Sequence, residues 1–132
     1  MPDSVSSKHA MFAALFGLSS LFVTASAYAH GGGKPEHGGV LQMVGETSLE
    51  LVAKSDGVEL YVEDEGEEVP SADRSAKLTI TDAGKTSQTT LLPAGGNKFE
   101  GAGVKIAKGD TAAVLVTNTA TQAQVGTTFA IK

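Results

Sequence analysis

Two histidines and one glutamate near the N-terminus are the residues best suited to chemistry. His30, Glu36 and His37 lie in HGGGKPEHGG, ten residues holding five glycines and one proline and no apolar side chain. Imidazole and carboxylate are metal ligands of the kind that suits Cu(II), Ni(II) and Zn(II). If the chain is cleaved before His30, the new α-amine and the His30 imidazole can chelate one ion, and His37 adds a further nitrogen. If the cut leaves Tyr28 first, His30 becomes the third residue. The amine, two deprotonated amides and the imidazole then make a square-planar Cu(II) or Ni(II) site. Glu36 adds a carboxylate to either arrangement. The same histidines also suit a plain solvent-exposed tail, since ordering ten glycine-rich residues costs entropy. Met43 is the only methionine beyond the apolar N-terminus, which argues against a thioether Cu(I) site.

Both cleavage points come from the N-terminal segment, which reads as a secretory signal. A polar start with Lys8 leads into an apolar run, Ala10 to Val23, and then the small-residue tail Thr24 to Ala29. Ala27-Tyr28-Ala29 is an A-x-A cleavage site. The apolar run is short of the roughly 20 residues a bilayer span requires, so no stable membrane insertion is expected after cleavage. No cysteine follows it to carry a lipid. The expected organisation is a signal peptide over 1–29, a flexible Gly/His-rich tail over 30–39 and a folded domain over 40–132, in a periplasmic protein.

Composition narrows the function further. Removing residues 1–29 takes away Asp3 and Lys8 together, so the formal charge of −5 is kept. An acidic chain of this kind is a poor partner for nucleic acid or anionic membranes. It has no cysteine, hence no disulfide, thiolate site or thiol nucleophile. No serine sits in a G-x-S-x-G elbow, and no histidine falls beyond residue 37 to serve as a general base. The expectation is a non-enzymatic protein. Glu63-Asp64-Glu65-Gly66-Glu67-Glu68 gathers five acids, but its spacing is not that of an EF-hand loop. It reads as a solvated hairpin tip whose charge discourages edge pairing.

The elements that must position these residues are strands. Leu49, Leu51 and Ala53 alternate onto one face; Asp56-Gly57 reads as the following turn. Val58, Leu60 and Val62 then alternate with Glu59, Tyr61 and Glu63, giving a buried and a wet face. Further runs surround Leu78 and Ile80, Thr86 to Leu92, and Phe99. Ala112 to Val116 is continuous and reads as a central strand buried on both faces, and Val125, Thr127, Phe129 and Ile131 alternate to the end. Seven to nine short strands with no helical period predict an all-β, immunoglobulin-like β-sandwich.

Several of these stretches form a recognisable set: His37-Gly38-Gly39, E-L-V-A-K from Glu50 to Lys54, G-V-E-L-Y-V-E-D from Gly57 to Asp64, K-L-T-I, and L-P-A-G-G-N-K-F-E-G from Leu92 to Gly101. From His37 to Lys132 the chain resembles small bacterial periplasmic β-sandwich proteins, related to segments found beside membrane-fusion adaptor subunits of heavy-metal efflux pumps. The motifs themselves read as turns and strand edges. The resemblance implies a role in periplasmic metal handling, with a periplasmic efflux-system component as partner. The chain lacks the helical hairpin and lipoyl-like region of a full adaptor. Two functions follow: an accessory that binds metal through its histidine tail, or a metal-independent protein-interaction module.

Overall fold

The computed structural model describes residues 33–132, of which Lys34–Lys132 form one compact unit. The signal peptide expected over 1–29 and the ligand candidate His30 lie outside the described residues.

Among the described residues nine strands follow one another: β1 Val40–Val44, β2 Thr47–Lys54, β3 Gly57–Asp64, β4 Glu67–Glu68, β5 Arg74–Asp82, β6 Lys85–Pro93, β7 Lys98–Ala102, β8 Thr111–Asn118 and β9 Gln124–Ala130. All pairings are antiparallel, in the order β1-β2-β3-β7-β6-β5-β8-β9, with the two-residue β4 beside β3. Because β7 returns to β3 and β8 returns to β5, the middle of the sheet is built from overlapping Greek keys. β1 lies near β9, so the sheet is nearly closed. The all-β architecture is the one the alternating pattern predicts. The two facing halves of the expected sandwich are continuous, because β6 pairs with β5 along most of its length and with β7 at Leu92 and Pro93.

One core fills the interior. Leu49, Leu51, Leu60 and Val62 from β2 and β3 meet Leu78, Leu91, Phe99, Val114, Val116 and Phe129 from the other strands. Without disulfides, this apolar burial and the sheet ladders hold the fold. The polar groups taken inside have partners. Asn97 Nδ2 donates to the Val62 carbonyl at 3.0 Å, Asp110 Oδ2 accepts the Ala107 N–H at 2.9 Å, and no buried side-chain N or O among the described residues lacks a hydrogen bond.

Two local expectations are corrected. The β2–β3 turn is Ser55-Asp56, with Lys54 opposite Gly57, so Gly57 is the first residue of β3 and not a turn residue. A Cβ there would collide with the Gly101 carbonyl oxygen of β7, so glycine is required by close approach of two strands. β8 is buried on one face only. Ala112, Val114 and Val116 point into the core, while Leu115 is 38% exposed on the outer face. Its apolar run reflects a strand central in pairing, between β5 and β9, rather than one covered on both sides.

This one-sidedness has a measurable consequence. Leu115→Thr is expected to change stability by no more than about 0.5 kcal/mol, whereas Val114→Thr, which puts a hydroxyl into the core, costs roughly 1–3 kcal/mol. Urea unfolding of the two variants checks it, and equal losses would contradict the assigned facing.

Candidate functional site

The site forms on the outer face of β2, β3 and β7. Inward alternation of Leu49 and Leu51 turns Glu50 outward, and sheet register then sets Glu50 beside Tyr61 and Tyr61 beside Lys98. The next row holds Val52, Glu59 and Glu100. An outward glutamate would ordinarily be solvated. Here Glu50 is only 4% exposed, because residues 36–39 cross over it as a strap before the chain enters β1.

Glu50 holds that strap almost alone. Its Oε1 accepts the Glu36 N–H at 3.1 Å, and its Oε2 accepts those of His37 at 2.9 Å and Gly39 at 2.8 Å. The His37 Nδ1 lies 2.9 Å from Oε1. Burial pushes the Glu50 carboxyl up, but the His37 side chain and the amides of Gly39, His37 and Glu36 outweigh it and hold it below the ordinary glutamate value. Gly39 fits because it has no side chain: a Cβ would strike the Leu51 carbonyl oxygen. The expected flexible tail over 30–39 is therefore corrected for Glu36 to Gly39. These residues are fixed by polar bonds to a strand, and the absence of apolar residues does not leave them free.

His37 is fixed in orientation as well as position. Its ring stacks on Tyr61, with centroids 3.5 Å apart and planes 3° from parallel. The Tyr61 hydroxyl donates to Glu59 Oε1 at 2.9 Å. Burial first, then this hydrogen bond and the negative charges of Glu59, Glu50 and Glu100, push the phenol up to about 12. Burial also raises the Glu59 carboxyl, but the Tyr61 hydroxyl and the Lys54 and Lys98 ammonium groups, each 3.6 Å away, hold it low overall. Lys98 also reaches Glu100 at 3.4 Å. A polar chain thus runs from the strap to β7.

Of the candidate ligands, His37 is placed with Nδ1 on Glu50 and no hydrogen bond to its Nε2 among the described residues. Glu36 is held through its backbone and is exposed. The two are neighbours on the strap, but no group of three or more His, Cys, Asp or Glu side chains is gathered for a metal among the described residues. The acidic turn is a hairpin tip between β3 and β4, with Glu65 and Gly66 at positive φ and Asp64 accepting from Thr47 Oγ1 at 3.1 Å.

Glu50, Glu59, Tyr61 and Lys98 carry no expected role in the sequence reading, which places Glu59 and Tyr61 on a wet face. One signal does point to them: Val52, apolar and two residues from Glu50, shares its outer face. The motifs quoted above as turns and strand edges supply nearly all of the site: His37 and Gly39 from one, Glu50 from the second, Glu59 and Tyr61 from the third, Lys98 and Glu100 from the last.

Two expectations follow. Glu50→Gln removes the anion and part of its acceptor capacity, so hydrogen exchange at the Glu36, His37 and Gly39 amides should accelerate and stability fall by about 2 kcal/mol. Because the Glu50 carboxyl is depressed on folding, its contribution is complete above the ordinary value of 4.5 and is lost as pH falls through the lower folded value. Strap amides that keep their protection at acid pH well below that range would contradict the anchor. Second, absorbance titration of the Tyr61 phenol should give a midpoint near 12, lowered in Glu59→Gln but still above the ordinary value of 10, because burial remains.

No protein-family model, curated protein or solved structure matches the chain.

Proposed function

We propose that the protein is a non-enzymatic periplasmic accessory in metal handling that captures Cu(II), Ni(II) or Zn(II) through His37, with His30 and Glu36 as further ligands. The observation that carries this reading is the Glu50–His37 pair. A carboxylate bound to one imidazole nitrogen fixes the tautomer and ring orientation, and raises the basicity of the other nitrogen toward a metal. With Nδ1–H directed at Glu50, Nε2 keeps its electron pair for an ion. The Tyr61 stack prevents the ring from turning away.

His37 and Glu36 alone are an incomplete coordination set. His30, a processed N-terminal amine or a partner protein would complete it. A single oriented imidazole with an incomplete ligand set suits an ion that is taken up and handed on. The resemblance to efflux-associated segments supports placing the recipient among periplasmic efflux components.

The test is Cu(II) titration of the exported protein carrying its native N-terminus. His37→Ala should abolish or strongly reduce binding. Glu50→Gln, which keeps the imidazole but removes its carboxylate partner, should weaken it by about 10-fold. Affinity unchanged in His37→Ala and in the double variant His30→Ala, His37→Ala would remove the metal reading. The strap would then be a purely structural anchor in a metal-independent interaction module.

A further inference from the structure

β1 and β9, at the ends of the strand order, each pair on one side only, and β6 adds an open edge in the middle of that order. On one side it pairs with β5 from Lys85 to Leu91. On the other, β7 reaches only Leu92 and Pro93. Lys85 to Leu91 therefore form an edge within the molecule.

Register identifies the atoms that this edge presents. The β5–β6 turn is Ala83-Gly84, with both residues at positive φ, so the flanking Asp82 and Lys85 exchange hydrogen bonds. Alternation along an antiparallel ladder then turns the odd-numbered residues of β6 toward β5. Thr86, Gln88 and Thr90 turn their N–H and C=O groups outward. The far end fixes the same parity independently. Leu92 lies opposite Glu100, and the Ala94 N–H donates to the Lys98 carbonyl at 2.8 Å, so even-numbered residues face the β7 side. No backbone hydrogen bond outside the strand ladders involves residues 85–92 among the described residues. Lys85 to Gln88 and Thr90 are exposed.

Long edges are normally blunted by charge, proline or a bulge. This stretch, KTSQTTL, has one charge at the turn and no proline before Pro93. The chain carries a net charge of −5, and the short strand β4 is Glu67-Glu68. Neither the edge nor Ser75, Lys77, Thr79 and Thr81, the outward residues of β5 behind it, bears a carboxylate.

We propose that β6 is a self-association edge, pairing antiparallel with β6 of a second copy about a twofold axis at Gln88. In that register Thr86 lies opposite the partner's Thr90 and Gln88 opposite the partner's Gln88. Each exchanges both its N–H and its C=O. Ser87 faces the partner's Thr89, and Lys85 faces the partner's Leu91, so no like charges meet. Cross-strand hydroxyl pairs of this kind favour pairing, and a twofold contact requires a self-complementary patch of this sort. The result is one sheet running without interruption through both copies.

Sedimentation equilibrium of the processed, exported chain tests this between about 1 μM and about 500 μM, the range of a modest edge contact. The average mass should rise from one chain to two. Gln88→Lys sets two ammonium groups against each other at the axis while leaving the backbone ladder to β5 intact, and should stay at one chain throughout; it removes only the exposed Gln88 Nε2 bond to Thr79 Oγ1 at 3.4 Å, so the melting temperature should change little. Gln88→Pro, which removes the outward N–H at the axis and spares the ladder to β5, serves as a second, independent variant. Exchange at the Thr86, Gln88 and Thr90 amides should slow several-fold at high concentration, with Ser87 and Thr89 unaffected. A wild-type mass of one chain at every concentration would overturn the proposal. So would association that both Gln88 variants retain.

Discussion

A single carboxylate determines how the N-terminal part of this molecule is built. Glu50 is an anion on the outer face of a sheet, and covering it would be costly without compensation. Compensation comes from three backbone N–H groups and one imidazole, all from residues 36–39. Remove the anion and those amides lose their acceptor, the imidazole its fixed tautomer, and Gly39 its reason to lie against Leu51. Strap and site are therefore one structure. Tyr61 extends it sideways, since its ring supports His37 while its hydroxyl is committed to Glu59 and, through that carboxylate, to the lysines of β2 and β7.

That arrangement gives the His37 imidazole an unusual degree of definition for a glycine-rich segment. An imidazole on a free tail samples many orientations, and each metal encounter must fix it again. Here one nitrogen is already assigned and the ring plane is set by stacking. On the proposed metal reading, the rest of the coordination shell can be supplied from elsewhere without loss of the first contact. If His37 binds metal as proposed, such a site suits capture followed by transfer better than permanent storage, for which a closed, complete coordination shell would be expected.

The fold was largely legible in the sequence and the site only partly so, for a physical reason that shows in particular residues. Leu49, Leu51, Leu60, Val62, Leu78 and Phe129 declare themselves by period-two alternation, which is a local property. The same alternation marks Glu50 as outward and hence as solvated, because it carries no information about what crosses above the strand. The strap is joined to β2 by bonds spanning 11 to 14 positions in the chain, made by polar groups that a hydrophobic pattern does not register. β8 fails in the opposite sense. Ala112 to Val116 is continuously apolar, yet only alternate residues are covered. Strand order was likewise hidden, since it rests on which distant strands β7 and β8 return to.

The placement of the anchor also decides how the molecule bears load. Tension applied from the N-terminal side does not arrive first at the open end of β1, where an edge strand would be stripped from its neighbour one hydrogen bond after another. It meets the Glu50 carboxylate, whose contacts to the strap must give way together before β1 is reached. From there the pull passes into the middle of β2, a strand paired on both sides. If the segment before residue 36 is ever grasped, by a partner or by a metal shared with one, the strap acts as a strain relief that shields the sheet behind it.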